Sequence, residues 1–230
     1  MFQDLSTTAE PELIAELDHG EVRTRAWTAG PQPAALSKSK RMLDISVALS
    51  LLLLLIPSFC IIAALVYFTS PGPVFFRQRR TGLYGRPFQV LKFRSMYVME
   101  DDAKVAHATR NDPRITRVGT WLRATSLDEL PQLINVLRGD MSLVGPRPHA
   151  IAHDRFYGGL LETYSHRFAV RPGITGLAQV RGLRGEIHSL SCMRRRVMAD
   201  CEYIQRWSLS GDIAILLRTL PCLVKDRNAY

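Results

Sequence analysis

Residues 125–133 read TSLDELPQL and set two acids, Asp128 and Glu129, side by side in a strongly basic chain. Lys and Arg number 30 against 21 Asp and Glu, which points to an anionic partner. Ser126 and Glu129 match the S-x-x-E capping box of a helix start, and acids in a first turn suit the helix dipole. Pro131 is tolerated there, because early N–H groups have no helical partner. The same geometry also suits phosphate chemistry. A helix N-terminus attracts anions, and a carboxylate held there can attack phosphorus to form an acyl phosphate. Its neighbour can hold Mg²⁺, a hard ion that prefers carboxylate and phosphate oxygens. Arg123 and Arg147 have the fork geometry to clamp phosphate oxygens, and Lys92 is the cation of its stretch best suited to face a phosphate. Adjacent helical residues point about 100° apart, so two separate jobs for Asp128 and Glu129 fit better than one shared proton.

The surrounding elements follow from pattern. ELPQLINVLRGD places Leu130, Leu133, Ile134 and Leu137 on one face and stops at Gly139, a short amphipathic helix. Val74–Arg77 and Phe88–Phe93 read as two strands around a turn punctuated by Gly82 and Gly85. This stretch carries Arg77, Arg79, Arg80, Arg86, Lys92 and Arg94, suited to lipid headgroups as well as to substrate. Asn111-Asp112-Pro113 is a turn signal. RPGITGLAQVRG reads as a loop, and residues 194–224 carry helical periodicity, with Tyr203 and Trp207 either in the core or at a membrane interface.

From Ile45 to Phe76 there is no charged residue, which is too long an apolar run for a soluble core helix. Lys38, Lys40 and Arg41 precede it and Arg77, Arg79 and Arg80 follow it, so both flanks carry the cytoplasmic mark. A helix that enters, breaks at Pro57 and returns to the same face reconciles the flanks; an ordinary kinked span is the alternative. Asp44 is expected to pair with Lys40 or Arg41 at the entrance. The expected division is an arm over 1–37, a membrane segment over 38–73 and a cytosolic catalytic domain over 74–230. The four cysteines form no C-x-x-C pair, and His149 with His153 is a weak metal candidate lacking a third ligand beyond Asp154.

Taken in order, KR before the apolar segment, LKFRSM, DPRITRVGTWLRATSLDELPQLINVLRGDMSLVGPRP and RPGITGLAQV resemble the bacterial sugar transferases, the monotopic phosphoglycosyl transferases. The likeness runs from about Lys38 to the C-terminus. It implies an α+β fold, mainly helical, with a re-entrant N-terminal membrane helix, a small β-hairpin and amphipathic interfacial helices around a cytoplasmic active site. It implies transfer of sugar-1-phosphate from a UDP-sugar to undecaprenyl phosphate at the bacterial inner membrane, with release of UMP, to initiate exopolysaccharide or glycoconjugate synthesis. Asp128 would be the nucleophile and Glu129 the Mg²⁺ ligand beside it. Lys92, Arg123, Arg147 and Arg171 would bind phosphate or substrate. The implied partners are the UDP-sugar, undecaprenyl phosphate and membrane lipid, with no nucleic acid; downstream glycosyltransferases and a homodimer stay open. Two features differ from relatives: the arm is longer than in the smallest members, and Ile56 precedes Pro57 where some carry serine. The competing reading is a membrane-anchored basic module for anionic lipid or nucleic acid, which leaves the acidic pair unexplained. A glycosidase needs its carboxyls about 5 Å or more apart, usually on separate elements, and adjacency argues against it.

Overall fold

The computed structural model describes residues 32–97, 112–185, 187 and 189–225. Most of the expected arm and Asn111 of the turn signal lie outside these residues. The described end of the arm is a short helix, α1 (Pro33–Leu36), whose Ala34 is buried in the main core.

The apolar segment forms two helices, α2 (Lys38–Leu54) and α3 (Ile56–Thr69), bent by 64° across Leu55. Pro57 falls in the first turn of α3, where a missing N–H costs least, so the break sits two residues before the proline. Among the described residues no single helix is long and apolar enough to cross a membrane; the bent pair passes by length and composition. Ala48, Ile62 and Val66 face the protein, while Leu53, Leu54, Ile56, Ile61 and Phe68 are exposed. Large apolar side chains exposed along two consecutive helices are what an interaction surface presents.

The expected hairpin is present. Strands β1 (Phe75–Thr81) and β2 (Pro87–Phe93) run antiparallel, with Phe75 opposite Phe93 and Thr81 opposite Pro87. Gly85 takes φ +77°, the left-handed conformation that the tight turn requires. Helix α4 (Arg117–Ala124) begins at Thr116, whose Oγ1 accepts from the Gly119 N–H at 2.9 Å. Helix α5 (Gln132–Arg138) ends at Gly139, φ +89°, as its sequence predicts.

The RPGITGLAQV stretch is more ordered than a loop. Strand β4 (Gly173–Thr175) pairs in parallel with β3 (Ser142–Val144), and helix α7 (Leu177–Val180) follows. Its glycines are there for close backbone approach: a Cβ on Gly173 would lie 2.1 Å from the Gly145 nitrogen. Between these strands run α6 (Ile151–Leu160) and a 3-10 helix, Tyr164–Ala169. The C-terminal periodicity resolves into α8 (Leu190–Gln205) and α9 (Leu209–Lys225).

Three apolar clusters hold these elements together. The main one joins Ala48, Val90, Val136, Leu143, Val144, Tyr203 and Ile215. A second packs Tyr157, Tyr164 and Phe168 on Met193 and Val197. The third seats Leu122 and Phe93 on Ile62 and Val66 of α3, beneath the acidic pair. Tyr203 is buried and Trp207 packs against the main cluster, which decides for the core reading of both.

Three polar side chains, Lys40, Asp44 and Arg41, bolt α2 to this core. Lys40 Nζ donates to Asp212 Oδ2 at 2.7 Å and to the Val144 carbonyl at 3.0 Å. Asp44 Oδ1 accepts from Ser142 Oγ at 3.0 Å and the Leu143 N–H at 2.9 Å. Asp44 therefore bonds to β3 rather than to Lys40 or Arg41, whose guanidinium donates to the Val136 and Leu137 carbonyls.

Candidate active site

Helix α4 delivers the chain to the acidic pair. Its last turn carries Arg123, and Ser126 then adopts φ +58°, rare for a residue with a Cβ, and reverses the chain. Asp128 and Glu129 follow in a single 3-10 turn, Leu127–Glu129, ahead of α5. The expected capping box does not form. In the left-handed conformation Ser126 Oγ makes no cap bond; it accepts from Arg184 Nη2 at 3.0 Å. Glu129 is turned to cations instead of back to the Ser126 amide.

Those cations are two of the expected ones. Arg147 grips Glu129 with both arms, Nη1 to Oε2 at 2.9 Å and Nη2 to Oε1. Lys92 Nζ donates to Glu129 Oε1 at 2.8 Å and lies 4.0 Å from Asp128 Oδ2. Asp128 and Glu129 are both only 6% exposed. Their titration is driven apart. Burial pushes the Asp128 carboxyl above its ordinary value, and the negative Glu129 adds to this, against the pull of Lys92 and Arg123. Burial also opposes ionisation of Glu129, but Arg147 and then Lys92 outweigh it and hold this carboxyl well below the ordinary range. Burial lowers the Lys92 ammonium despite the two acids beside it. Two carboxylates pushed in opposite directions mark a division of roles. Asp128 is the less neutralised acid, with Lys92 Nζ 4.0 Å away where Glu129 holds both Lys92 and Arg147 by hydrogen bonds.

Each cation is held by backbone. Lys92 lies on β2, fixed to α5 by Asn135, which accepts from the Leu91 N–H at 2.9 Å and donates to the Gln89 carbonyl at 2.8 Å. Arg147 stands between Pro146 and Pro148, which have no N–H, so the loop is anchored through its carbonyls. Pro146 accepts from the Gly173 N–H at 2.9 Å, Arg147 from Arg167 Nη2 at 2.6 Å and Pro148 from Arg80 Nη1 at 3.4 Å.

Thus Asp128, Glu129, Lys92 and Arg147 meet, and Arg123 acts on Asp128 through space. Arg171 is engaged elsewhere. Its Nε donates to the Gly139 carbonyl at 2.9 Å and its Nη1 to the Ala35 carbonyl at 3.2 Å, tying α1 to α5. His149 and His153 do not form a metal pair. His149 precedes α6, its Nδ1 sits 2.8 Å from the Tyr164 hydroxyl, and burial with neighbouring arginines, Arg167 foremost, keeps it neutral. No group of three or more potential ligands occurs among the described residues. Two carboxylates are still enough for an ion that takes its other ligands from phosphate and water. Glu129 Oε2 accepts one hydrogen bond, from Arg147, which leaves a lone pair for such an ion.

Sequence reasoning missed Arg184, Asn135, Arg167 and Asp200. Arg184 lies 58 residues from the Ser126 it contacts, and Asn135 44 from Leu91, so no local spacing signals either.

Comparison with known proteins identifies the family of the chain. The family model for bacterial sugar transferases matches residues 35–226. A UDP-glucose:undecaprenyl-phosphate glucose-1-phosphate transferase of Caulobacter vibrioides is 54% identical over 202 residues, 87% of this chain and 76% of that protein. A protein of the same name from Escherichia coli is 56% identical over 191 residues, 83% of this chain and 41% of that protein. The exopolysaccharide production protein PSS of Rhizobium leguminosarum is 47% identical over 185 residues, 79% of this chain and 92% of that protein. The chain thus spans about two-fifths of the E. coli relative and most of the other two. With the family match covering nearly the whole described chain, this protein is an enzyme, a transferase belonging to the bacterial sugar transferase family.

Proposed function

We propose that this chain transfers a hexose-1-phosphate, with glucose the first candidate from the names of its relatives, from a UDP-sugar to undecaprenyl phosphate, and so starts exopolysaccharide or glycoconjugate assembly. The observation that carries this reading is the paired acids with opposite titration, enclosed by Lys92, Arg123 and Arg147.

Asp128 is the nucleophile. Its ionised carboxylate oxygen attacks the sugar-bearing phosphorus, a P–O bond forms, and the P–O bond to the nucleoside monophosphate breaks, so UMP leaves with the electron pair. An oxygen of undecaprenyl phosphate then attacks the same phosphorus and returns the carboxylate. Lys92 and Arg123 face the charge gathering on the transferred phosphoryl oxygens. Glu129 keeps Lys92 and Arg147 at fixed distance, so they need not reorganise as charge moves. Bound Mg²⁺, held by Glu129 and Asp128, would supply charge neutralisation between the anionic nucleophile and the anionic substrate.

The bent apolar pair supports a re-entrant anchor, with both basic flanks and the active site on the cytoplasmic face of the inner membrane. Ile213, Leu217 and Leu220, exposed along α9, support an interfacial helix beside it. The test is UMP release from a panel of UDP-sugars with undecaprenyl phosphate and Mg²⁺, for the full chain and Asp128→Asn. Lipid-dependent UMP that is lost in the variant and with chelator is the expected result. Equal UMP from the variant removes Asp128 as nucleophile.

A further inference from the structure

Beside the acidic cluster lies a second, largely buried polar network whose side chains have no part in the transfer chemistry argued above. Its centre is Arg167 in the 3-10 helix, 4% exposed. Arg167 Nε donates to Asp200 Oδ2 of α8 at 2.7 Å, and Nη1 donates to the Tyr164 hydroxyl at 3.0 Å and lies 3.0 Å from His149 Nδ1. The Tyr164 hydroxyl donates a hydrogen bond to Asp154 Oδ1 at 2.7 Å. Nη2 donates to the Arg147 backbone carbonyl at 2.6 Å.

Burying a guanidinium costs several kcal/mol unless it is paired and its donors are satisfied. An apolar side chain of similar volume would fill the same place without that cost. What the guanidinium does that no apolar group can is to donate in three fixed directions at once. One direction ends on the carbonyl of the residue whose side chain grips Glu129. The neighbouring prolines remove the amides that would otherwise anchor this loop. The other two anchors are the Gly173 N–H and the longer bond from Arg80, both displaced by one peptide from Arg147 itself.

We propose that Arg167, held by Asp200, is a positioning residue for the transfer: it fixes the Arg147 backbone so that the Arg147 guanidinium meets Glu129 in register. The proposal rests on the function argued above. A shift of about 1 Å at such a clamp is enough to lower a rate about a hundredfold. Lysine at 167 keeps the charge but cannot reach Asp200 and the Arg147 carbonyl together.

The test is a double-mutant cycle on the full chain, with Arg167→Lys, Arg147→Lys and the pair, reading kcat for UMP release from UDP-glucose and the thermal midpoint of each protein. Tyr164→Phe is the control, since it disturbs the same network but leaves the bond to the Arg147 carbonyl. The expected result is a kcat about tenfold to a hundredfold lower in Arg167→Lys, a double variant within about threefold of Arg147→Lys alone, and Tyr164→Phe within about threefold of the parent. If Arg167→Lys does not fold, Asp200→Asn takes its place in the cycle with the same expectation. Losses that multiply across the cycle, or a folded Arg167→Lys with parental kcat, overturn the proposal. UMP release by the parent that Asp128→Asn retains, or no release at all, overturns the catalytic reading and the proposal with it; parental release dependent on Asp128 isolates the test to Arg167.

Discussion

Asp128 and Glu129 are chemically near-identical neighbours with opposite effects on the fold. Burial raises Asp128 above its ordinary 3.8, so the folded chain holds that proton more tightly than the unfolded chain. Its contribution to stability is present below the unfolded value and lost as pH rises through the folded one; at neutral pH its ionisation is a cost. Glu129 is held well below its ordinary 4.5 once Arg147 and Lys92 outweigh its burial. Its contribution is present above the unfolded value and lost as pH falls through the folded one. Asp128→Asn is therefore expected to raise the thermal midpoint by on the order of a few degrees while abolishing transfer. Glu129→Gln leaves Lys92 and Arg147 buried against a neutral group and is expected to cost about 3–5 kcal/mol. Calorimetry of both variants at neutral pH in EDTA checks the signs; a Glu129→Gln protein as stable as the parent would refute the clamp.

Elements, not single residues, set the distance between the acids and their cations. Helix α4 approaches the end of β2 so closely that a Cβ on Gly119 would lie 1.9 Å from the Ser95 carbonyl oxygen. Gly119→Ala must push α4 outward, and with it Arg123 and the reversal at Ser126. It is expected to destabilise by about 1–3 kcal/mol and to lower transfer at least tenfold, measured by thermal unfolding beside UMP release. This scale also shows what the sequence could and could not tell. Leu133 and Leu137 with Gly139 after them specify α5, and the β-forming residues on either side of Gly82 and Gly85 specify the hairpin, because both patterns are local. The capping box at Ser126 was a local pattern overruled by distant groups, Arg184 on the serine and Arg147 with Lys92 on the glutamate. The β3–β4 pairing was hidden because the two strands are short and distant in sequence, with Ser142 opposite Gly173. Arg171 has the same residue type as Arg147 in a similarly Pro-rich setting, and only the fold sends one to Glu129 and the other to Gly139.

Across the whole molecule the bent apolar pair packs into two of the clusters that hold the rest of the fold. Ala48 of α2 lies in the main cluster, Ile62 and Val66 of α3 lie under Leu122, and Asp44 holds β3. Removal of residues 1–73 would expose both clusters and leave Ser142, Leu143 and Asp212 without Asp44 and Lys40. Such a truncation is expected to lose the cooperative unfolding transition of the full chain in detergent, followed by circular dichroism. A truncated protein that melts cooperatively and releases UMP would show that the bent apolar pair is separable from the rest of the fold.

The Lys40–Asp212 bond joins residues 172 positions apart in the chain. At about 5–20 residues per second, the ribosome needs roughly 10–30 s after making Lys40 before Asp212 exists. Through that interval the leucine-rich segment has been made but its polar lock has not. With the re-entrant anchor proposed above, the order of synthesis would have the bent apolar pair meet lipid, or a helper that stands in for lipid, before the rest of the chain has been made.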